Sequence, residues 1–366
     1  MKTIGFMISD QHLIAHGGIG QFCRSFVKMM REQNNQVILI TDKKPRKGFV
    51  SEVSSDWIVY PNEPISYADH RAKYGRFKDG PNIDKITNFS LALKNASNLF
   101  NFDVIVANTH ESLAALADYS IDTKKVLYTH LYKQIYPDVK FNDVFLPEYH
   151  TFFKKFLFKS DVIVGTQTEY NKTKLLDQGI QNVEVLPIPI TETSLLESSD
   201  HIKKRGALYI GRWEAGKNPK DYIKIIKQCN LPAKVLTNKN GAKKFEKAFK
   251  ENDITDYDIR ASIVGNEKVE FLKSCKLFLN TSLIESYSNS VAETIGHMPV
   301  ITLDKIKVPW TMNFEGYLHT INMKNLNIVN EIYDQKIDNS LGLKFINSIN
   351  DLAYANWAKI AGAQNA

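Results

Sequence analysis

Only three cysteines, Cys23, Cys229 and Cys275, occur in the 366 residues, odd in number and far apart. They predict neither a disulfide framework nor a metal cluster, and they point to a reducing, cytoplasmic compartment. No stretch approaches the ~20 continuous apolar residues of a membrane-spanning helix, so no stable membrane insertion is expected. The opening Lys2–Ile8 is apolar but meets Asp10 too soon for a secretory signal. Internal repeats and low-complexity tracts do not stand out. What remains, 43% hydrophobic and 24% charged residues, fits an ordinary globular protein and excludes disordered, collagen-like and coiled-coil classes. At roughly 150 residues per domain, the length implies two domains.

The net charge is +7. Such an excess speaks to association and solubility, not to fold. Split after residue 195, Lys+Arg stand at 23 against 21 Asp+Glu, then at 24 against 19, surpluses of +2 and +5. Neither half is therefore a basic domain, and local clusters matter more: Lys43, Lys44, Arg46 and Lys47, then Arg71, Lys73, Arg76 and Lys78.

Short apolar runs alternate with amphipathic stretches. Lys2–Ile8, Gln36–Thr41, Asp103–Ala107, Lys125–Thr129, Asp161–Gly165 and Val183–Leu186 read as buried strands. Helical patterns fall at Phe22–Arg31, Ile83–Leu99, Val144–Phe158 and Glu169–Gln178. Prolines and polar residues from Pro187 to Asp200 mark a linker. The rhythm restarts with strands at Gly206–Ile210, Ala233–Leu236, Tyr257–Arg260, Leu277–Leu279 and Val300–Thr302. Helices are expected over Pro219–Cys229, Ala242–Lys250, Lys268–Ser274, Ser290–Ile295 and Leu341–Ala361. Two doubly wound α/β domains in tandem follow, with a ligand expected between them at the carboxyl ends of the strands.

Three motifs carry chemistry. His16-Gly17-Gly18-Ile19-Gly20 precedes a helix, where glycines admit a phosphate to free backbone N–H groups. With Asp42 closing the second strand, it also reads as an imperfect dinucleotide fingerprint, which keeps an NAD-binding oxidoreductase open. Arg212 and Lys217 lie five positions apart on a loop that enters a helix at Pro219, a pairing suited to a diphosphate. Glu285 and Glu293 flank a run of small polar residues before a helix. The first carboxylate can reach sugar hydroxyls, Ser288, Asn289 and Ser290 offer N–H groups to phosphate, and the second suits a ribose. Asp256-Tyr257-Asp258 supplies an Asp-x-Asp but reads as a polar turn, so no metal is expected.

The Gly-Arg-x4-Lys loop and the Glu-x7-Glu element resemble the retaining nucleotide-sugar glycosyltransferases of the GT-B fold, the group-1 family. The resemblance takes in Gly17-Gly18, Tyr128-Thr129-His130, Asp161–Glu169 and the C-terminal motifs. It implies an α/β GT-B fold of two Rossmann-like domains. An acceptor-binding domain would span 1–190 and a nucleotide-sugar domain 191–345, with a helix over 346–366 packing back on the first. Arg212 and Lys217 would neutralise the diphosphate leaving group, Glu285 bind the donor sugar, His130 sit beside it, and Glu293 hold the ribose. His110 and Glu111 would lie where the acceptor site opens. No cofactor or metal is implied, since fixed cations stabilise the departing diphosphate. The chain departs from the pattern at Ser286 and Ser288, where glycines are usual, and at Pro189-Ile190, which replaces Asn-Gly.

The stretch from Tyr67 to Lys78 interleaves Arg71, Lys73, Arg76 and Lys78 with aromatics, a composition suited to a phosphate backbone with an unstacked base. The whole is similar to tailed-phage DNA glycosyltransferases. That resemblance implies transfer from a UDP-sugar, glucose or a pentose such as arabinose, to 5-hydroxymethylcytosine in double-stranded DNA, in the host cytoplasm if phage-encoded. An enzyme acting on a cell-envelope glycan or lipid, and a non-catalytic nucleotide-sugar-binding module, are the alternatives.

Overall fold

The computed structural model describes residues 1–10, 13, 18–45, 58–66, 82–130, 152, 154–190, 203–283, 285, 288–304, 318–335 and 339–362. They form two compact units, Met1–Pro189 with Ile349–Ala366, and Ile190–Ser348. Residues 191–200 of the linker inferred over Pro187–Asp200, most of the helix inferred over Val144–Phe158, and the basic–aromatic stretch 67–78 lie outside the described residues.

The first unit is built on β1 (Thr3–Met7), β2 (Gln36–Ile40), β3 (Ile58–Val59), β4 (Val104–Ala107), β5 (Lys124–Tyr128), β6 (Val162–Thr166) and β7 (Val183–Val185). They pair in parallel in the order β3-β2-β1-β4-β5-β6-β7. Continuous apolar runs such as Val104-Ile105-Val106-Ala107, buried throughout, are what a sheet covered on both faces requires. Its helices include α1 (Gly18–Glu32), α2 (Ile83–Leu99), α3 (His110–Asp118) and α4 (Glu169–Leu176), with a further helical stretch at 154–157. Their starts are written in the chain. Asn82 accepts the Lys85 N–H at 3.0 Å to cap α2, and Thr168 accepts the Asn171 N–H at 3.2 Å to cap α4.

The second unit carries β8 (Ala207–Ile210), β9 (Ala233–Thr237), β10 (Tyr257–Ala261), β11 (Leu277–Asn280), β12 (Val300–Leu303) and β13 (Leu318–Ile321). They too are parallel, in the order β10-β9-β8-β11-β12-β13. Among the described residues its helices are α5 (Pro219–Cys229), α6 (Lys239–Glu251), α7 (Gly265–Lys273), α8 (Asn289–Thr294) and α9 (Asn327–Tyr333). The last helix, α10 (Asn339–Ala361), begins in the second unit and ends in the first. Among the described residues no helix is long and apolar enough to cross a membrane.

Among the described residues, β3, β13, α3, α9 and a short 3-10 turn at Ala215–Lys217 escape the sequence reading. Two-residue β3 is too short to show a pattern, and β13 is a half-exposed edge strand carrying His319 and Thr320. Cys23 and Cys275 are core groups whose thiols burial pushes up to about 12, which makes them inert at neutral pH.

Gly342 shows why α10 carries a glycine in a helix. A Cβ there would fall inside the backbone of Gly296. Because backbone cannot yield as a side chain can, Gly342→Ala is expected to cost about 1–3 kcal/mol as overpacking. Chemical denaturation of the two proteins checks this; equal midpoints would mean that the close approach is not real.

Candidate donor site in the second unit

In each sheet the strand order reverses once, between β1 and β4 and between β8 and β11. In open parallel sheets, loops leaving the strands at such a point diverge and leave room for a ligand. The motifs of the second unit converge there. Residues 211–218 follow β8, and the chain from Thr281 to Ser288 follows β11.

The first loop is held from below. The Tyr209 hydroxyl donates to the Arg212 and Lys217 carbonyls at 3.1 and 3.4 Å. Burial, with the negative charges of Glu214 and Glu285, raises that hydroxyl's pKa, so it remains a donor. The Thr281 hydroxyl faces the Lys217 and Asn218 carbonyls at 3.2 and 2.9 Å, and the Leu283 N–H bonds the Gly216 carbonyl at 2.9 Å. Asn218 adopts a left-handed conformation (φ 49°), turning the chain so that Pro219 opens α5 with its fixed φ.

This frame brings together two charges 68 residues apart in sequence. The Lys217 ammonium pairs with the Glu285 carboxylate, whose side chain is only 9% exposed against 29% for Lys217. Arg212 is exposed and reaches Glu214 at 3.2 Å. On α8, Glu293 accepts from Lys268 of α7 at 2.7 Å. Ser288 is buried just before α8, its hydroxyl 3.3 Å from that of Ser290, and Asn289 is the first residue of the helix. Thus the two cations and two carboxylates singled out by the sequence each face an opposite charge. The sequence reading missed Lys268, Glu214, Tyr209 and Thr281, since these act through tertiary contacts and no local spacing announces them.

Asp256 and Asp258 are occupied differently. Arg205 pairs with Asp256, while Lys234 and Arg260 reach Asp258 at 3.3 and 2.9 Å. Among the described residues no group of three or more His, Cys, Asp and Glu is placed to hold a metal ion.

In the first unit, His130 follows β5 between aromatic rings, 4.6 Å from Tyr128 and 4.8 Å edge-on from Phe22, with the Gln167 amide 3.4 Å from Nδ1. His110 and Glu111 form the first turn of α3, capped by Thr109 and Ser112. Glu111 turns to Lys85 of α2 at 3.5 Å. Burial opposes ionisation of its carboxyl, yet Lys85 and His110 outweigh it and hold the pKa below the usual value. Gly18 opens α1; Gly17, Arg71, Lys73, Arg76 and Lys78 lie outside the described residues.

The dinucleotide reading meets a different obstacle. Asp42 is wholly buried and its carboxylate accepts the Asp10 N–H at 3.0 Å, so it ties two strand ends together where a ribose would need it free to face solvent. At the end of β4, beside the other order reversal, Asn108 is buried and neither of its amide atoms finds a partner among the described residues, nor does the buried Ser9 hydroxyl after β1. Unsatisfied buried polar atoms are costly, which marks this strand edge as a second polar locus.

The fold is GT-B. The chain is similar along nearly its whole length to sucrose-phosphate synthase from Thermosynechococcus elongatus, at 14% identity and TM-score 0.67, covering 99% of this chain and 96% of that one. It is similar also to HepE from Anabaena in complex with UDP and glucose, at 13% identity and TM-score 0.63, with 99% and 98% covered. The lipopolysaccharide outer core galactosyltransferase WaaB matches at 14% and 0.63, with 99% of each chain covered. No protein-family profile and no curated protein matches the sequence. At these identities the GT-B likeness establishes architecture; chemistry has to come from the residues.

Proposed function

We propose that this protein is a retaining glycosyltransferase that takes its sugar from a UDP-sugar without a divalent ion. The observation that carries the reading is the meeting of Lys217 and Glu285, with Arg212 on the same loop, at the carboxyl ends of β8 and β11. A cation supplied by the fold can neutralise the charge that grows on a departing diphosphate, which is the term a metal would otherwise supply. In this reading Lys217 exchanges Glu285 for phosphate oxygens, and the freed Glu285 accepts hydrogen bonds from the sugar. Arg212 adds a bidentate contact. Glu293 takes the ribose hydroxyls, and Ser288, Asn289 and Ser290 present N–H groups to the diphosphate.

For the acceptor, we infer 5-hydroxymethylcytosine in double-stranded DNA, reached in the cytoplasm. The support is compositional: cations Arg71, Lys73, Arg76 and Lys78 interleaved with Tyr74 and Phe77. A cell-envelope glycan or lipid is the second reading, favoured by structural neighbours such as WaaG, involved in lipopolysaccharide biosynthesis, and WaaB. Glucose and a pentose such as arabinose are both compatible with the donor reading.

The deciding experiment incubates hydroxymethylated DNA with UDP-glucose and a UDP-pentose in EDTA, followed by intact-mass analysis of nucleosides. A mass gain of one sugar with the donor's anomeric configuration, read from the NMR coupling constant, is the expected result. An inverted linkage overturns retention. Absence of transfer to DNA, with transfer to envelope glycan, overturns the acceptor.

Lys268 gives a finer check. It fixes the Glu293 carboxylate, so Lys268→Met is expected to raise KM for the UDP-sugar about tenfold with little change in kcat, the signature of lost ground-state binding. Lys268→Arg should recover most of the loss. A fall in kcat alone would contradict a ribose role for Glu293.

A further inference from the structure

We propose that the outer face of α5 and α6 is a contact surface for the phosphates of duplex nucleic acid. Helix α5 carries three lysines against one aspartate, and α6 five lysines against two glutamates. Their net charges, 3 − 1 = +2 and 5 − 2 = +3, sum to +5 of the chain's +7. Lys220, Lys224 and Lys227 of α5 and Lys239, Lys243, Lys247 and Lys250 of α6 are all exposed. The opposite sides are buried through Tyr222, Ile226, Phe245 and Phe249, and because the successive crossovers β8-α5-β9 and β9-α6-β10 run in one direction across the sheet, both helices cover the same side of it, where the Tyr222 and Phe245 rings meet edge-on at 6.1 Å. The exposed lysines therefore project from the same side of the second sheet.

The spacing argues against a merely solvated face. Lys220 and Lys224, Lys239 and Lys243, and Lys243 and Lys247 stand four residues apart, where like charges repel. Lys239 opens α6, whose first turn holds no acidic residue, so a cation sits at the positive end of the helix dipole. Relief is partial: Lys247 reaches Glu251 at 3.7 Å, Glu246 stands between Lys243 and Lys250 on the same helix, and Asp221 is engaged by Asn218 at 2.7 Å, so three carboxylates face eight lysines. A face selected for solubility alone would alternate its signs. A polyanion lying on it would remove the repulsion.

Neither helix exposes a large apolar side chain, so the face has nothing to insert between lipids. A duplex offers instead one charge per ~1.7 Å of axis, and helices of this length, about 16–20 Å, would span some ten of them. Lys220 lies three residues beyond Lys217, so the row begins beside the candidate donor loop. The inference draws its purpose from the DNA-acceptor reading, but its test is separate from the donor chemistry.

The test compares the full chain with the triple variant Lys224→Gln, Lys243→Gln and Lys247→Gln; Gln matches Lys in helix propensity. Affinity for an unmodified random-sequence duplex is measured between about 50 and 200 mM salt, with UDP titrated in parallel. The wild type should bind, and the variant should lose roughly 0.9 units of log–log salt slope per contact, about 2–3 units in all. UDP affinity should not change. Failure of the wild type to bind duplex at low salt, or an unchanged slope in the variant, overturns the proposal. So does binding to anionic phospholipid vesicles without binding to DNA. Loss of UDP binding by the wild type, with the slope change intact, would instead overturn the donor reading and leave this surface standing.

Discussion

Replacing Lys217 with methionine is expected to lower turnover with a UDP-sugar by about a hundredfold to a thousandfold, the range for loss of one fixed stabiliser of developing charge. The substitution has a second consequence, because it also strips Glu285 of its counterion. Leaving that carboxylate unpaired should cost about 1–3 kcal/mol, short of the fully buried range since Lys217 keeps contact with water. The two effects separate in a double variant. Adding Glu285→Gln to Lys217→Met should restore most of the stability and none of the turnover. Denaturant midpoints and initial rates measured on both single variants and the double make the comparison. If the double variant recovers activity, Lys217 matters only as a partner for Glu285 and not as the cation that faces the diphosphate.

The second large effect is expected in the first unit. Trp357, near the end of α10, is 1% exposed and packs edge-on against Phe26 at 4.7 Å, with Tyr128 stacked at 5.8 Å. Its indole N–H bonds the Pro187 carbonyl at 3.2 Å, and the neighbouring Asn356 amide bonds the Val185 carbonyl at 2.7 Å. Trp357→Ala should therefore destabilise the first unit by about 3–5 kcal/mol, combining lost transfer energy, a cavity and an orphaned carbonyl. Equilibrium unfolding followed by far-ultraviolet circular dichroism reads the shift. A change below about 1 kcal/mol would show that α10 lies on that unit without forming part of its core. Trp357→Phe, which keeps the ring contact and loses the N–H, should fall between.

These two residues also show what the amino-acid sequence can and cannot reveal. The long amphipathic pattern over Leu341–Ala361 announces α10, and Pro219 announces the start of α5, because capping and periodicity are local properties. The continuous apolar runs announce most strands of two parallel sheets for the same reason. By contrast, nothing in the spacing pairs Lys217 with Glu285 or Lys268 with Glu293; those contacts exist only once β8, β11, α7 and α8 are assembled. Asp42 shows the reverse error. Its position at the end of β2 suits a ribose-binding acid, but the fold spends its carboxylate on the Asp10 N–H. Composition exposes the lysines of α5 and α6 only as a diffuse surplus of charge. It takes the strand order β10-β9-β8, with both crossovers running the same way, to place them on one side of the sheet.

The most direct single measurement is a calorimetric titration of UDP into the wild-type protein and the Lys217→Met variant, both in EDTA. A donor site built on Lys217 gives saturable one-site binding to the wild type without a metal ion, and binding at least about tenfold weaker in the variant. Absence of UDP binding, equal affinity in the two proteins, or binding that returns only with magnesium or manganese would contradict it.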